Sequence, residues 1–370
     1  MDKNPFVITS VQPDKPEKFV WLKRHKKLVI IISSIVLLLA IAGTIFVVIQ
    51  SSQQETAPAE NKAPVVAEPE PEPIKYYSPL TGTEVTSEDA TTQPVTGIMI
   101  ENSPDARPQS GLKDSGVVFE AIAEGGITRF LALYQEQKPA LIGPVRSVRM
   151  YYVDWIAAFN ASVAHIGGSA AALQEVRNGS YRDIDQFFND GTYWRATDRY
   201  APHNVYTSFE RLDALNKAKG YTSSIFTGFT RKDSKPAETP SANNIDVTIS
   251  GPLYNSSYTY NTTTNTYDRS QAGAPHTDRE GGQISPRVVI VMKVTEQKVF
   301  EDGWREQINT IGSGEAYIFQ DGTVTEATWT KKSKADQITF TDSEGKDVPL
   351  ARGQTWLTAV PASSGSVSWK

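Results

Sequence analysis

The chain of 370 residues contains no cysteine. That excludes disulfide staples, thiolate metal ligands and a cysteine nucleophile. It also removes the residue on which a lipoprotein is acylated. Histidine is scarce: only His25, His165, His203 and His276 occur, and none has the H-x-x-x-H spacing of a zinc site. No serine lies in a G-x-S-x-G elbow, and no G-K-[ST] phosphate loop is present, so acyl-enzyme and P-loop chemistry are disfavoured. No protein-held metal and no cofactor is expected. Mg²⁺ held by a carboxylate and a substrate phosphate would leave no sequence signature and stays open. There is no basic excess either. Residues 1–27 hold seven Lys/Arg and three Asp/Glu, which leaves 30 basic against 39 acidic residues in the rest of the chain. Nonspecific binding of nucleic acid or an anionic membrane surface by that acidic part is not expected.

What the chain does have is a long apolar run. Leu28 to Ile49 are 22 consecutive uncharged, mostly apolar residues. As a helix they would rise about 33 Å, enough to cross a hydrocarbon core of about 30 Å. The run is too long for the apolar core of a cleaved signal peptide, so it reads as a transmembrane signal anchor. Lys23-Arg24-His25-Lys26-Lys27 precede it, and the positive-inside rule leaves residues 1–27 as a cytoplasmic tail and exports the rest. Residues 50–75 follow as a stalk. Pro58, Pro64, Pro69, Pro71 and Pro73 alternate there with Glu and Ala, a composition that favours an extended, solvated chain. The expected location is a single-pass cell membrane protein with extracytoplasmic domains.

Residues 76–221 read as an α/β (or α+β) domain with a mixed sheet. Gly97–Glu101, Val117–Ala123, Arg129–Tyr134 and Ala161–Ile166 are short apolar runs of strand character. Glu124-Gly125-Gly126 offers a tight turn between two of them. Helices are expected at Met150–Asn160, at Ala170–Arg177, and after Thr207, where Thr207-Ser208-Phe209-Glu210 fits a capping box. Residues 222–244 look like a polar linker. Residues 245–370 read as a smaller, mainly β domain, with strands near 246–249, 287–294, 315–319, 324–329, 338–341 and 355–360. Asp321-Gly322 signals a hairpin, and Asn255–Thr266 a long surface one.

The first domain concentrates unusual side chains in turns. Arg107, Arg129, Arg146, Arg149 and Arg195 lie beside apolar strands or in loops, and a guanidinium binds phosphate or carboxylate in bidentate fashion. Gly167-Gly168-Ser169 joins a strand to a helix, and such a turn aims backbone N–H groups at an anion. His165 precedes it, and His203 lies in Ala201-Pro202-His203-Asn204. Two readings stand. Either these groups build one anion-binding cleft, or each Arg pairs with a carboxylate such as Glu120, Glu124 or Asp154. Glu120 with Glu124, or Asp183 with Asp185, could also form the carboxylate pair of a glycosidase. The aromatics Tyr151, Tyr152, Trp155, Tyr193, Trp194, Tyr200 and Tyr206 fit either sugar stacking or a core.

Several segments in order resemble the YerB-like family of bacterial lipoproteins, a two-part domain of unknown function. They are Ser78-Pro79-Leu80-Thr81-Gly82, Ala106–Leu112, Glu124–Phe130, Gly143–Ser147, His165–Ser169 and Ala201–Asn204, with Thr328–Lys331 and Gly353–Trp356 in the second part. The resemblance implies an envelope protein outside the cytoplasmic membrane and brings no catalytic residues. A more distant similarity of residue order, around Ile142–Ser147, is to the LytR-CpsA-Psr ligases. Those use Arg, Asp and Mg²⁺ to hold a polyprenyl-pyrophosphate glycan carrier. Their Pro-Arg-Asp signature appears here only as Pro144-Val145-Arg146-Ser147. The leading expectation is an envelope protein that binds wall glycan or a lipid-linked anionic precursor. The ligand set would be Arg107, Glu120, Glu124, Arg129, Arg146, Arg149, His165, Gly167, Gly168, Ser169, Arg195 and His203. The alternatives are an Mg²⁺-dependent phosphoryl or glycosyl-phosphate transferase and a structural module that binds a protein partner through the β domain.

Overall fold

A computed structural model describes residues 26–52, 73–299 and 305–370. Most of the tail (1–25) and most of the stalk (53–72) lie outside the described residues. The chain divides into two units, residues 1–72 and 73–370. In the first, α1 (Lys26–Ser52) is long and apolar enough to cross a membrane.

The second unit is built on β1 (Thr96–Glu101), β2 (Val117–Glu124), β3 (Ile127–Tyr134), α2 (Met150–Ile156), β4 (Ser162–His165), α3 (Ala170–Val176), β5 (Arg182–Asp185) and α4 (Phe209–Ala218). It continues through β6 (Asn244–Thr248), β7 (Ser256–Asn261), β8 (Thr266–Gln271), β9 (Val288–Val294), β10 (Glu296–Val299) and β11 (Arg305–Ile308). Last come β12 (Gly312–Gln320), β13 (Thr323–Lys331), β14 (Thr339–Thr341), β15 (Thr355–Pro361) and β16 (Ser366–Trp369). The mixed sheet expected from the sequence is present and runs in the order β14-β13-β12-β9-β15-β2-β3-β1-β4-β5, with the β10–β11 hairpin joined to β2. Both parts of the chain contribute to it, because β15 inserts parallel to β2 on one side and to β9 on the other. A separate sheet of β8-β7-β6-β16 and a short edge strand makes the C-terminal part mainly β.

Alternation along the strands decides what covers each face. Met99, Phe119 and Leu131 pack with Tyr151, Tyr152, Trp155 and Phe159 of the α2 region. Ile98, Ile100, Val118 and Phe130 lie on the other face, in one cluster with Phe209 and Leu212 of α4, Tyr258 and Tyr267 of the second sheet, and Trp356 of β15. Period-2 strands buried on both sides read as continuous apolar runs, as these do. The Gly125-Gly126 turn closes the β2–β3 hairpin with φ of 58° and 79°, the type I′ geometry that glycine adopts without steric cost. Asp321-Gly322, at 56° and 80°, does the same for β12–β13.

Three expectations are refined. The cap of α4 is Ser208, whose hydroxyl accepts from the Arg211 amide at 3.4 Å. The helix therefore starts one residue later than a box built on Thr207 requires, and the position that Glu would fill is Arg211. The polar stretch within 222–244 is fastened down at Arg231. This side chain donates to the carbonyls of Leu80 (2.5 Å) and Ala351 (3.1 Å) and to Thr355 Oγ1 (2.9 Å), while its strand pairs with Leu350–Ala351. Burial lowers its guanidinium to about 10. Finally, the hairpin within 255–271 lies on the surface on one side only, since Tyr258, Tyr260 and Tyr267 are buried.

Candidate functional site

Strands β1, β4 and β5 run parallel, and β1 lies antiparallel to β3 with Glu101 opposite Arg129. The carboxyl ends of β1, β2, β4 and β5 therefore meet at one edge of the sheet. In open sheets such an edge is where ligands bind. The loop 145–149 lies between the ends of β1 and β4. The Arg146 amide donates to Met99 O (2.8 Å), the Ile166 amide to Arg146 O (3.1 Å) and the Val148 amide to Gly167 O (3.0 Å). Gly168 is needed for this fit, because a Cβ there would sit 2.8 Å from Val148 Cγ1 and 3.0 Å from its carbonyl.

Two carboxylates organise the rim. Glu101 is buried, and its Oε1 accepts from Ser103 Oγ and from His203 Nδ1, each at 2.9 Å. Arg146 Nε lies 3.1 Å from the same oxygen, an ion pair out of line for a hydrogen bond. Glu101 Oε2 is buried without a hydrogen-bond partner. Among the described residues no protein group takes up the two terminal nitrogens of Arg146, whose side chain is 23% exposed. Glu124 accepts from Arg129 and Arg149 together. Arg129 also donates to Ser147 O (2.9 Å) and Arg149 to Val148 O (2.9 Å). Burial, then the neighbouring Arg149 charge, lowers the Arg129 guanidinium to about 10. Three guanidiniums thus share two carboxylates at one edge of an acidic protein. The triangle of Ser103, His203 and Glu101 is not a nucleophile relay. The hydroxyl donates to the carboxylate, and both sit on the same ring nitrogen, whereas a relay needs one on each.

His165 is fully buried, with Nδ1 2.8 Å from Gly167 O and Nε2 2.9 Å from Asp183 Oδ1. Asp185 accepts from the Gly167 amide (3.3 Å) and from Arg177 (2.5 Å). These groups shape the turn at 167–169, and Asp183 and Asp185 do not face each other across a cleft as a glycosidase pair would. Ser169 caps α3 by accepting from the Ala172 amide at 3.4 Å.

Three expected site residues stand elsewhere. Glu120 is fully buried on the opposite face of the sheet, accepting from Arg269 (2.9 Å) and Trp356 Nε1 (3.0 Å). Its spacing from Glu124 would put both on one face, but a bulge between Ile122 and Glu124 shifts the register and turns the two apart. Arg107 donates to the carbonyls of Asn102 and Leu253, both at 2.8 Å, and lies over the Tyr254 ring. Arg195 donates to Asn204 Oδ1 at 2.8 Å. Glu101 is the site residue that sequence reasoning missed. Its signal was a carboxylate ending an otherwise apolar strand. Among the described residues no group of three His, Asp or Glu could hold a metal ion.

The β10–β11 hairpin adds a second feature. Glu296 is pushed up to about 8, first by burial and then by the adjacent Glu306 carboxylate, with Lys298 opposing and Tyr151 close by. The folded form therefore holds a proton that the unfolded chain releases near the ordinary 4.5. This contribution to stability is complete at low pH and is lost as pH rises towards about 8. The urea midpoint of a protein comprising residues 73–370 is expected to fall across that window, and Glu296→Gln is expected to flatten the fall. An identical pH profile in the variant would refute the assignment.

Residues 80–222 match the N-terminal domain, and residues 245–357 the C-terminal domain, of a protein of unknown function, DUF3048. The chain is 32% identical over 321 residues to "Putative lipoprotein YerB" of Bacillus subtilis, covering 85% of this chain and 92% of that protein. The crystal structure of YerB from Bacillus subtilis superposes with a TM-score of 0.71 at 31% identity, over 80% of this chain and all of that one.

Proposed function

We propose, for a chain that belongs to the DUF3048 family of proteins of unknown function, the role of a membrane-tethered envelope protein that binds an anionic ligand at the strand-end rim. Its relative bears the name of a lipoprotein. This chain has no cysteine to acylate, and α1 takes over the anchoring. The basic residues before α1 support a cytoplasmic N-terminus with residues 73–370 outside. The observation that carries the ligand reading is Arg146. Its neighbours Arg129 and Arg149 are engaged by Glu124, while its own terminal nitrogens keep a bidentate fork for phosphate or carboxylate. His203, partly exposed beside it, adds a further polar contact. Wall glycan bearing phosphate, or a lipid-linked precursor, supplies that chemistry.

The test is calorimetric titration of residues 73–370 with inorganic pyrophosphate. Arg146→Ala is expected to weaken binding roughly 10–100-fold, the loss of one charge-assisted bidentate contact. Arg146→Lys should restore only part of it, since an ammonium lacks the fork. Equal affinity of Arg146→Ala and wild type would refute the site.

A further inference from the structure

The loop that carries Arg146 has a second side. Beyond Arg149 the rim opens into a cavity of about 480 Å³ between α2, α3 and the segment that follows β11. This is within the size range of small-molecule sites, about 300–1,000 Å³. Its walls include Met150, Tyr151, Ala170, Ala171, Ile308 and Ile311. Ala170, Ala171 and Ile311 are exposed there, so apolar surface faces water at the edge of the sheet. Arg149 and Ser169 stand at the same cavity. Two buried polar atoms on its wall, Arg149 Nε and Asp154 Oδ1, have no hydrogen-bond partner.

We propose that this cavity takes the alkyl part of an amphiphile whose anionic head rests on Arg146, on the loop that leads to Arg149 at the cavity wall. The inference builds on the Arg146 reading and narrows its ligand from an anion to an anionic amphiphile. Apolar walls alone would accept many occupants, but the fork of Arg146 on the adjoining loop selects a negative head. Asp154 on the wall is already paired: it accepts from Thr310 Oγ1 (2.7 Å) and lies 3.5 Å from Lys334 Nζ. Moving an alkyl chain from water onto these walls releases the water that now covers them. A chain tethered by α1, which is long and apolar enough to cross a membrane, would meet such molecules at high concentration.

The experiment uses residues 73–370, because every side chain of both buried clusters lies within that segment. It is titrated with inorganic phosphate, with octyl phosphate and with octyl glucoside, the last two below their micelle concentrations. Octyl phosphate is expected to bind at least roughly tenfold more tightly than inorganic phosphate, from burial of a few methylenes, and more tightly than octyl glucoside. Ala171→Trp, which fills the cavity from an exposed helix position, should remove that advantage and leave phosphate binding unchanged. Gln174→Trp, on the same helix outside the cavity, should change neither. If octyl phosphate binds no better than phosphate, or if Ala171→Trp leaves its affinity intact, the amphiphile inference is overturned. Phosphate binding that still depends on Arg146 would then leave the anion reading standing. Octyl phosphate binding that Arg146→Ala does not weaken would overturn the anion reading itself.

Discussion

Replacing Arg269 with Met is expected to destabilise residues 73–370 by about 3–5 kcal/mol, the loss that follows when one partner of a buried ion pair is removed. Arg269 and Glu120 are both fully buried, 2.9 Å apart, between the two sheets. The guanidinium lies 4.6 Å from the centre of the Trp356 ring and donates to Tyr258 Oη (3.2 Å) and Gln271 Oε1 (3.1 Å). It also donates to His276 Nδ1. Burial, and then the Arg269 charge, holds His276 well below its usual range, so the ring stays neutral and can accept there. Its Nε2 faces Gln109 Oε1 at 3.1 Å. Trp356 completes the set by donating to Glu120. Methionine fills the volume but leaves Glu120 as an uncompensated charge in an apolar interior. The check is urea denaturation of the single variants and of Arg269→Met with Glu120→Leu. The double variant should recover part of the loss, because no charge is then stranded. A single-variant loss under about 1 kcal/mol, the size of an exposed ion pair, would show that the pair is not the buried bridge described.

The second large effect is expected at Glu124. Arg129 and Arg149 are both buried and share this one carboxylate, which is 28% exposed. Glu124→Gln removes the negative charge and leaves two guanidiniums side by side in a poorly solvated rim. A loss of about 3 kcal/mol is expected, the lower end of the range for breaking a buried pair. Part of that loss is repulsion between the two cations. Adding Arg149→Gln to Glu124→Gln should therefore restore stability, whereas in the wild-type background Arg149→Gln alone should lower it. Salt provides an independent check. Raising ionic strength should narrow the gap between Glu124→Gln and wild type, because repulsion in a partly exposed rim is screened. Additive effects of the two substitutions would mean that the guanidiniums do not share the carboxylate.

Much of the fold was legible because its signals are local. The strands β1, β2, β3, β9 and β15 are apolar runs of the right length, and Gly125-Gly126 and Asp321-Gly322 are turns whose required φ is positive. What local signals left open was settled by distant partners. Arg231 sits in a polar stretch that reads as linker, yet its hydrogen bonds reach Leu80 and Ala351. Of the residue types singled out in the sequence, Glu124, Arg129, Arg146, Arg149, the 165–169 turn and His203 stand at one edge of the sheet. Glu120, Arg107 and Arg195 belonged to the same sequence pattern and stand elsewhere.

Taken by itself, the sequence determined which chemistry the protein lacks, that Leu28–Ile49 is long and apolar enough to span a bilayer, and that guanidiniums gather in the turns of an acidic chain. Which of those guanidiniums are engaged was decided only by the tertiary structure. Pairing depends on the face a side chain occupies, and one bulge between Ile122 and Glu124 sends Glu120 into the core and Glu124 to the rim. There Glu124 engages two arginines, and Arg146, 23% exposed, keeps terminal nitrogens that no protein group takes up among the described residues.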